Sequence, residues 1–167
     1  MREALLVQRV LSSQAEQLRE LRLRALRQDP DAFGSTLARE MSLPEEHWLR
    51  WAADSEAGEH RVVFVAALPE WAGMAGGFLD AERPGVATLG AMWVDAAYRR
   101  RGVGAQLLHA VLDWAASRGV ARIELSVTDE NVAAERLYSR AGFTHIGVRA
   151  PLDDERALNK SFMTRAL

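Results

Sequence analysis

The sequence predicts an α/β (α+β) fold: a mixed, mostly antiparallel central sheet of about six or seven strands, flanked by about four helices. Three apolar, strand-like segments follow one another in the middle of the chain. The short Pro- and Gly-containing turns between them are typical of an antiparallel meander. The next segment has helical periodicity and leads to a further strand at the spacing of a βαβ unit. Helical patterns elsewhere in the chain supply cover for the faces of such a sheet.

Composition and charge exclude several classes of protein. The 167 residues, 49% of them hydrophobic, suffice for one stable core, and we expect a single domain over residues 1–167. The formal net charge of −2 gives no basic field to attract nucleic acid or a membrane, so neither is an expected partner. The absence of cysteine excludes disulfides, thiolate metal sites and a cysteine nucleophile. No apolar run is long enough for a signal peptide or a membrane span, so we expect a cytoplasmic protein.

The first third of the chain has the pattern of one strand followed by helices. Ser13 and Glu16 have the spacing of a capping box, in which a hydroxyl and a carboxylate satisfy free backbone amides. Pro30 ends the helix that follows, because proline disfavours a helical conformation in the residue before it. Pro44 suits the first turn of the next helix. The predicted elements are a strand over residues 5–10, helices to about residue 28 and over 44–53, and a loop with a short helix over 33–41.

The rest of the chain alternates between strand and helix patterns. Glycines within the second central strand allow a β-bulge there. Gly119 is placed to end the first long helix of this part, and Asn131 and Gly142 are placed to begin and end the second. The predicted strands cover residues 61–68, 73–80, 86–94, 122–127, 143–148 and 160–167, and the predicted helices run from about 102 to 119 and from 131 to about 141.

A basic, glycine-containing turn joins the third central strand to the helix after it. Amides at a helix N-terminus lack internal partners and carry the positive end of the helix dipole, so they can bind a phosphate group. Gly102 and Gly104 have no side chain to hold a phosphate away, and the arginines at 99–101 can add charge-assisted hydrogen bonds. Taken alone, the same pattern is equally typical of a tight turn with solvated arginines.

Other motifs can be tested directly. A Rossmann fingerprint requires a third glycine at position 107, where the chain has Leu107. A Walker A loop requires Gly-Lys followed by Ser or Thr, and the sequence contains no such triplet. The four histidines have no metal-ligand spacing, so no metal is expected, and no Gly-x-Ser-x-Gly motif indicates a serine hydrolase. The Rossmann and Walker A motifs therefore fail, and the sequence gives no support to a metal site or a serine hydrolase.

The basic turn resembles the acyl-CoA-binding signature of the GNAT N-acetyltransferase family. That signature is Arg or Gln, two residues, Gly, one residue, then Gly or Ala, and Arg99, Gly102 and Gly104 match it. The resemblance implies that the turn holds the pyrophosphate of acetyl-CoA and that the strand before it pairs with the pantetheine arm, as an added strand would. The residues implied are Met92, Trp93, Val94, Arg99, Arg100, Arg101, Gly102, Val103, Gly104 and Ala105.

A second motif of the family lies further downstream. It consists of a strand, an asparagine-led helix carrying a tyrosine, and then Gly-Phe. The chain matches it with Asn131, Ala134, Tyr138, Gly142 and Phe143. Together the two motifs imply acetyl-CoA as co-substrate, with Asn131, Ala134 and Tyr138 also in contact with it. The resemblance covers at least residues 61–143, and residues 21–48 look like a subset of these enzymes.

The chemistry of the family fits the residues present. Attack of a neutral amine on a thioester carbonyl creates an oxyanion, which the backbone amide of Trp93 or Val94 is placed to stabilise. A phenol, with an ordinary pKa of about 10, can give its proton to the departing thiolate. Tyr138 matches the general acid of the family. The alternative is that Tyr138 only packs against the core or the coenzyme.

The group that takes the proton from the amine is not evident from the sequence. Many family members carry a glutamate on the central strand for this purpose, whereas residues 86–94 contain neither an acidic residue nor histidine. Glu124 or Ser126 on the adjacent strand could orient a water molecule, and Glu40 could approach from the N-terminal helices. Each is also explained as an ordinary surface or strand residue, so no base is assigned.

The acceptor pocket is expected between the N-terminal helices and the end of the central strand. Phe33, Trp48 and Trp93 are the candidate walls, beside Met92, although Trp48 is at least as well explained as a core residue. An aromatic lining suits the amine of a small molecule. The alternatives are a protein N-terminus or lysine as acceptor, and a non-catalytic acyl-CoA sensor. Homodimers are common in the family, but no sequence feature identifies an interface.

Overall fold

The computed structural model describes residues 4–167. Residues 1–3, part of the N-terminal segment in which no signal peptide is expected, lie outside the described residues. Among the helices that the structure describes, none is long and apolar enough to cross a membrane.

A seven-stranded sheet forms the centre of the described structure. The strands are β1 (Leu6–Arg9), β2 (Arg61–Leu68), β3 (Glu70–Leu79), β4 (Val86–Val94), β5 (Arg122–Thr128), β6 (Thr144–Pro151) and β7 (Asn159–Ala166). Their order across the sheet is β1-β2-β3-β4-β5-β7-β6, and every neighbouring pair is antiparallel except β4 and β5. The predicted mixed, mostly antiparallel sheet is therefore confirmed.

Five α-helices accompany the sheet in the described part of the chain, where about four were predicted. Four of them correspond to the four longer helices predicted. The fifth is the short helix that was expected, together with a loop, over residues 33–41. The helices are α1 (Ala15–Gln28), α2 (Leu37–Met41), α3 (Glu45–Ala57), α4 (Val103–Ser117) and α5 (Val132–Arg140). Short 3-10 turns lie at Ser12–Gln14, Pro30–Ala32 and Ala96–Tyr98.

The helices cover both faces of the sheet and divide the apolar interior into two cores. The α1 core contains buried residues of α1 and α3, among them Trp48, together with Trp93 from β4. The α4 core contains the apolar side of α4, including Trp114. Successive side chains of a strand point to opposite faces, so Val62 lies in the α4 core and Val63 in the α1 core.

The start of α1 differs from the sequence prediction. Ser13 and Glu16 do not form a capping box, because a separate 3-10 turn precedes the helix. The amide of Ser12 instead donates a hydrogen bond to the carboxylate of Glu56 on α3 (3.0 Å). The capping-box prediction was wrong because the chain turns two residues earlier, where the amide of Leu11 donates to Oε1 of Gln14 (2.9 Å). The amide of Ser12 donates there to Glu56, a partner that no local pattern reveals.

β4 and β5 part soon after they meet. They pair over Val86–Thr88 and Arg122–Glu124, after which both strands continue without pairing to each other. Ala91 has a left-handed backbone (φ 52°), at the point where the register between β3 and β4 shifts. This is a β-bulge with its extra residue on β4. The bulge expected on the glycine-rich strand β3 is present as well, at Ala72, where the register between β2 and β3 shifts. A bulge bends its strand, and the bulge on β4 accompanies the opening between β4 and β5.

The glycines of β3 permit close packing on both sides of the strand. A Cβ atom at Gly77 would lie 2.8 Å from Cζ3 of Trp114 and 3.0 Å from Cγ1 of Val111. A Cβ atom at Gly73 would lie 2.8 Å from the carbonyl oxygen of Trp93. These glycines therefore let α4 and β4 approach the backbone of β3.

Gly77→Ala is expected to lower the free energy of unfolding by about 1–3 kcal/mol, because the added methyl group overpacks the contact with Trp114. Gly90→Ala on β4 is the matched control, since a Cβ atom there meets its nearest neighbour, Phe78, only at 4.0 Å. Urea denaturation of both variants measures the difference. Equal stabilities would contradict this account of the β3 glycines.

Candidate active site

A cleft of about 860 Å³ opens where β4 and β5 diverge. Its walls come from the ends of both strands, the turn before α4, and α5. It joins the two sides of the sheet, since Trp93 belongs to the α1 core and Tyr138 to the α4 core. The predicted site residues that line it are Met92, Trp93, Val94, Arg99, Arg100, Gly102, Val103, Gly104, Ala105, Asn131, Ala134 and Tyr138.

The turn before α4 presents backbone and arginine side chains to the cleft. Arg100 (φ 62°) and Gly102 (φ 78°) have left-handed backbones, and Gly102 is the N-cap residue of α4, directly before its first residue, Val103. Glycine adopts this conformation without the penalty that other residues incur. The first amides of α4, from Val103 onward, lack intrahelical partners and can hold an anion. Arg101, predicted to line the site, lies instead over the ring of Tyr98, with 5.5 Å between Cζ and the ring centroid.

Gly104 lies where α4, α5 and β4 come together. A Cβ atom there would be 3.2 Å from Cδ2 of Leu137 and 3.3 Å from Cε of Met92. Both neighbours are the ends of flexible side chains, so an alanine needs only small adjustments. A longer side chain has to enter the cleft, and this cradle fits a ligand that approaches the helix terminus closely.

Asp29, at the end of α1, ties the turn to the end of β4. Its Oδ2 atom accepts hydrogen bonds from Nε1 of Trp93 (2.8 Å) and from Nη2 of Arg99 (2.5 Å). Nε of Arg99 donates to the carbonyl oxygen of Val94 (2.9 Å). Sequence analysis missed Asp29, although it stands in the Asp-Pro-Asp-Ala-Phe segment that resembled the family. Its partners are distant in sequence, so no local pattern indicates them.

The 3-10 turn after Asp29 is fixed from two further directions. Oγ1 of Thr128, at the end of β5, donates to the carbonyl oxygen of Asp31 (2.9 Å). Arg156, between β6 and β7, donates to the carbonyl oxygens of Pro30 (2.7 Å) and Phe33 (2.6 Å). The turn is thereby held beside the cleft, and we call residues 29–33 the acceptor-side turn.

Tyr138 is carried into the cleft by α5. The side chain of Asn131 accepts a hydrogen bond from the amide of Ala134 (3.3 Å), so Asn131 caps this helix as predicted. The ring of Tyr138 packs edge-on against Phe143, with the centroids 6.0 Å apart. Burial raises the pKa of the Tyr138 phenol well above its usual value, because a phenolate loses its hydration there. The phenol therefore keeps its proton throughout the neutral range.

Two of the three candidate bases are held in ion pairs. Glu40 is buried and accepts hydrogen bonds from Nε and Nη2 of Arg22, each 2.9 Å long. Glu124 lies 2.9 Å from Nη2 of Arg83. Ser126 lines the cleft. Of the three, Ser126 is thus the residue that reaches the space in which an acceptor would react.

Of the three predicted acceptor walls, Trp93 lines the cleft, whereas Phe33 and Trp48 are not among its lining residues. Phe33 is buried beneath the guanidinium of Arg22, with 4.6 Å between Cζ and the ring centroid. Trp48 is 2% exposed within the α1 core. Both aromatic side chains therefore support the α1 side of the sheet instead of facing the cleft.

The charges along the cleft are mainly positive. Asp29 is the one carboxylate among the described lining residues. The lining cations and the histidine are Arg99, Arg100, Arg136, Arg140 and His109. Such a surface attracts a ligand that carries several phosphates. Within residues 4–167, no group of three or more histidine, aspartate or glutamate side chains is arranged to hold a metal ion.

The cleft, the helix terminus and Tyr138 all lie within residues that match a known family model. The model is that of the acetyltransferase (GNAT) family, and it matches residues 16–143. The chain belongs to the GNAT acetyltransferase family. The resemblance that the two sequence motifs indicated is thereby confirmed, and members of this family use acetyl-CoA as the acyl donor.

Individual relatives match shorter stretches. The mycothiol acetyltransferase of Beutenbergia cavernae is 44% identical over 57 residues, which are 34% of this chain and 19% of that protein. The ribosomal protein bS18 alanine N-acetyltransferase of Escherichia coli K12 is 41% identical over 63 residues, or 38% of this chain and 43% of that protein. In both cases the match spans less than half of the relative's length.

Structural similarity extends over almost the whole chain. The yncA acetyltransferase of Salmonella typhimurium, solved with its cofactor acetyl-CoA, superposes with a TM-score of 0.79. The match covers 98% of this chain and 94% of that one at 19% identity. At this identity the similarity shows a shared fold.

Gly104→Glu is expected to abolish acetyl-CoA binding, because the added carboxylate occupies the cradle and repels phosphate. Gly104→Ala is the matched control and should retain binding, since only Leu137 and Met92 must shift slightly. Calorimetric titration should give micromolar binding for the wild type, about −8 kcal/mol. A folded wild type that does not bind acetyl-CoA would reduce the motif to a structural turn.

Glu40→Gln is expected to lower the free energy of unfolding by about 3 kcal/mol, because it leaves the charge of Arg22 buried without a partner. Glu59→Gln, at an exposed position, is the control. Urea denaturation measures the difference between them. An unchanged free energy of unfolding in Glu40→Gln, together with loss of acetyl transfer, would instead indicate that Glu40 is the base of the reaction.

Proposed function

We propose that this protein is an acetyl-CoA-dependent N-acetyltransferase that acetylates the primary amine of a small molecule, with Tyr138 as general acid. The observation that carries the proposal is the cleft, which brings Tyr138, the end of β4 and the basic turn around one space. Membership of the family supports the same reaction, because the matching family model covers all of these elements.

The described residues fit acetyl-CoA. The free amides at the start of α4, with Arg99 and Arg100, supply donors and positive charge for its phosphates. The pantetheine arm needs an unpaired strand edge, and β4 offers one beyond Thr88, where β5 has left it. Bound there, acetyl-CoA supplies a thioester carbonyl for the amine to attack.

The amide of Val94 is the better placed of the two predicted donors for the developing oxyanion. The amide of Asp95 donates to the carbonyl of Ala72 on β3 (2.8 Å). Antiparallel pairing alternates, so the amide of Trp93 also faces β3, and that of Val94 faces away from it. The carbonyl oxygen of Val94 also faces away from β3, because it accepts its hydrogen bond from Arg99 there. A hydrogen bond from this amide, in a cleft shielded from water, becomes stronger as negative charge develops on the acyl oxygen.

Tyr138 supplies the proton that the departing thiolate needs. The amine nitrogen forms the new bond to the acyl carbon, the carbon–sulfur bond breaks, and the sulfur takes the phenolic proton. The raised pKa of Tyr138 keeps that proton in place at neutral pH. The ammonium acceptor loses one proton to bulk water before the attack and a second after it, and the second returns through water to the Tyr138 phenolate and restores the phenol. Ser126 lines the same cleft and can orient this water.

The acceptor is proposed to lie against Trp93, on the α1 side of the cleft. This aromatic wall suits a small organic amine. A protein N-terminus is the second candidate, and the partial match to the alanine N-acetyltransferase of E. coli favours it. The two differ in the space they need, since a peptide has to leave the cleft along an open path.

Release of the CoA thiol in the presence of a panel of small primary amines and an alanine-starting peptide should identify the acceptor class. Tyr138→Phe should lower kcat about 100-fold while leaving the affinity for acetyl-CoA intact, because only the proton is removed. If the peptide were acetylated and none of the small amines were, the acceptor would be a protein and not a small molecule. Binding of acetyl-CoA without release on any amine would favour the non-catalytic sensor.

A further inference from the structure

The α1 side of the cleft carries a single carboxylate, and we propose that this carboxylate, Asp29, binds the cationic ammonium group of the acceptor. The inference rests on the proposed function, because it concerns recognition of the amine that the enzyme acetylates. Amines of this kind are mostly protonated near neutral pH and arrive as cations.

The charge pattern of the cleft separates two ligand subsites. Arg100 in the turn and Arg136 on α5 repel an ammonium group and attract phosphate. Asp29 is the one described lining residue with the opposite charge. A cation entering the cleft is therefore stabilised at Asp29 and nowhere else along the described lining.

The bonding of Asp29 leaves room for a further donor. Both of its side-chain hydrogen bonds, from Trp93 and Arg99, end on Oδ2. Among the described residues, none donates a side-chain hydrogen bond to Oδ1, and the side chain of Asp29 is 30% exposed. A carboxylate has about four acceptor positions, so Arg99 and an ammonium group can share it.

Asp29 is also held in place before any acceptor arrives. Thr128 and Arg156 fix the carbonyl groups of the acceptor-side turn, and Trp93 and Arg99 fix the carboxylate. Binding to a rigid group loses little conformational entropy. Such pre-organisation favours a recognition site over a flexible surface acid.

The position of Asp29 gives the acceptor its own side of the sheet. Asp29 bonds to Trp93, which belongs to the α1 core, whereas Tyr138 and the residues around Gly104 lie on the α4 side. An ammonium group held at Asp29 thus enters from the face opposite the phosphate turn. Both ligands then meet in the cleft between β4 and β5.

The indole N–H of Trp93 reports on this site, because it donates directly to Asp29. Its NMR resonance, assigned with Trp93→Phe, is followed in CoA-saturated protein during titration with benzylammonium chloride, and separately with benzyl alcohol. We expect a saturable shift with the cation and not with the alcohol. Asp29→Asn should weaken the affinity for benzylammonium in this titration about tenfold. Asp31→Asn, at an exposed side chain, should leave that affinity unchanged.

No saturable shift with the wild type, or equal responses to cation and alcohol, would overturn the inference. Loss of acetyl-CoA binding in Asp29→Asn without a selective effect on the cation would also overturn it, because Asp29 would then only support Arg99.

Kinetics separate this inference from the proposed function. For any amine that is acetylated, Asp29→Asn should raise the KM of the amine about tenfold, a larger effect than its effect on the affinity for acetyl-CoA. An unchanged KM would refute recognition by Asp29 while acetyl transfer stands. A cation-selective NMR shift without acetylation of any amine would refute the proposed transferase activity, whereas the proposed cation site at Asp29 would stand.

Discussion

The parting of β4 from β5 is the feature on which the rest of the site depends. The two strands pair over a short stretch and then diverge, with a bulge at Ala91 bending β4 at the same level. A parallel pair that continued would bury its backbone groups in ladder hydrogen bonds and leave no cleft. Because backbone groups seldom remain unpaired in a protein interior, this opening requires water or an extended ligand to complete the edge of β4.

Close packing behind the opening sets its position. Gly77 lets Trp114 rest on the backbone of β3, which brings α4 against the sheet. Gly102 caps the start of α4, so the free amides of this helix lie at the mouth of the cleft. Gly104 then lets Leu137 of α5 approach, and α5 carries Tyr138. Small residues at a few contacts thus align a helix terminus and a phenol with the same strand edge.

Burial and charge give the two sides of the cleft different chemical character. Tyr138 loses water on the α4 side, so its phenol stays protonated at neutral pH. On the α1 side, the carboxyl group of Asp29 joins Trp93 to Arg99. The same sheet therefore presents a proton donor on one face and an anion on the other, which is an arrangement suited to a reaction between two substrates that arrive from opposite directions.

Local sequence determined the elements and the phosphate turn. Apolar periodicity, Asn131 and the glycines at helix ends act within a few residues, so the strands, the longer helices and most of the residues that line the cleft could be assigned from it. Tertiary structure alone decided the remainder. Trp48 and Trp93 enter the same core, and only the position of Trp93 at the end of β4 places it beside the cleft. Asp29 gains its place from partners far along the chain, as Ser12 does from Glu56. Side-chain contacts of this range follow from how elements pack, and no short pattern encodes them.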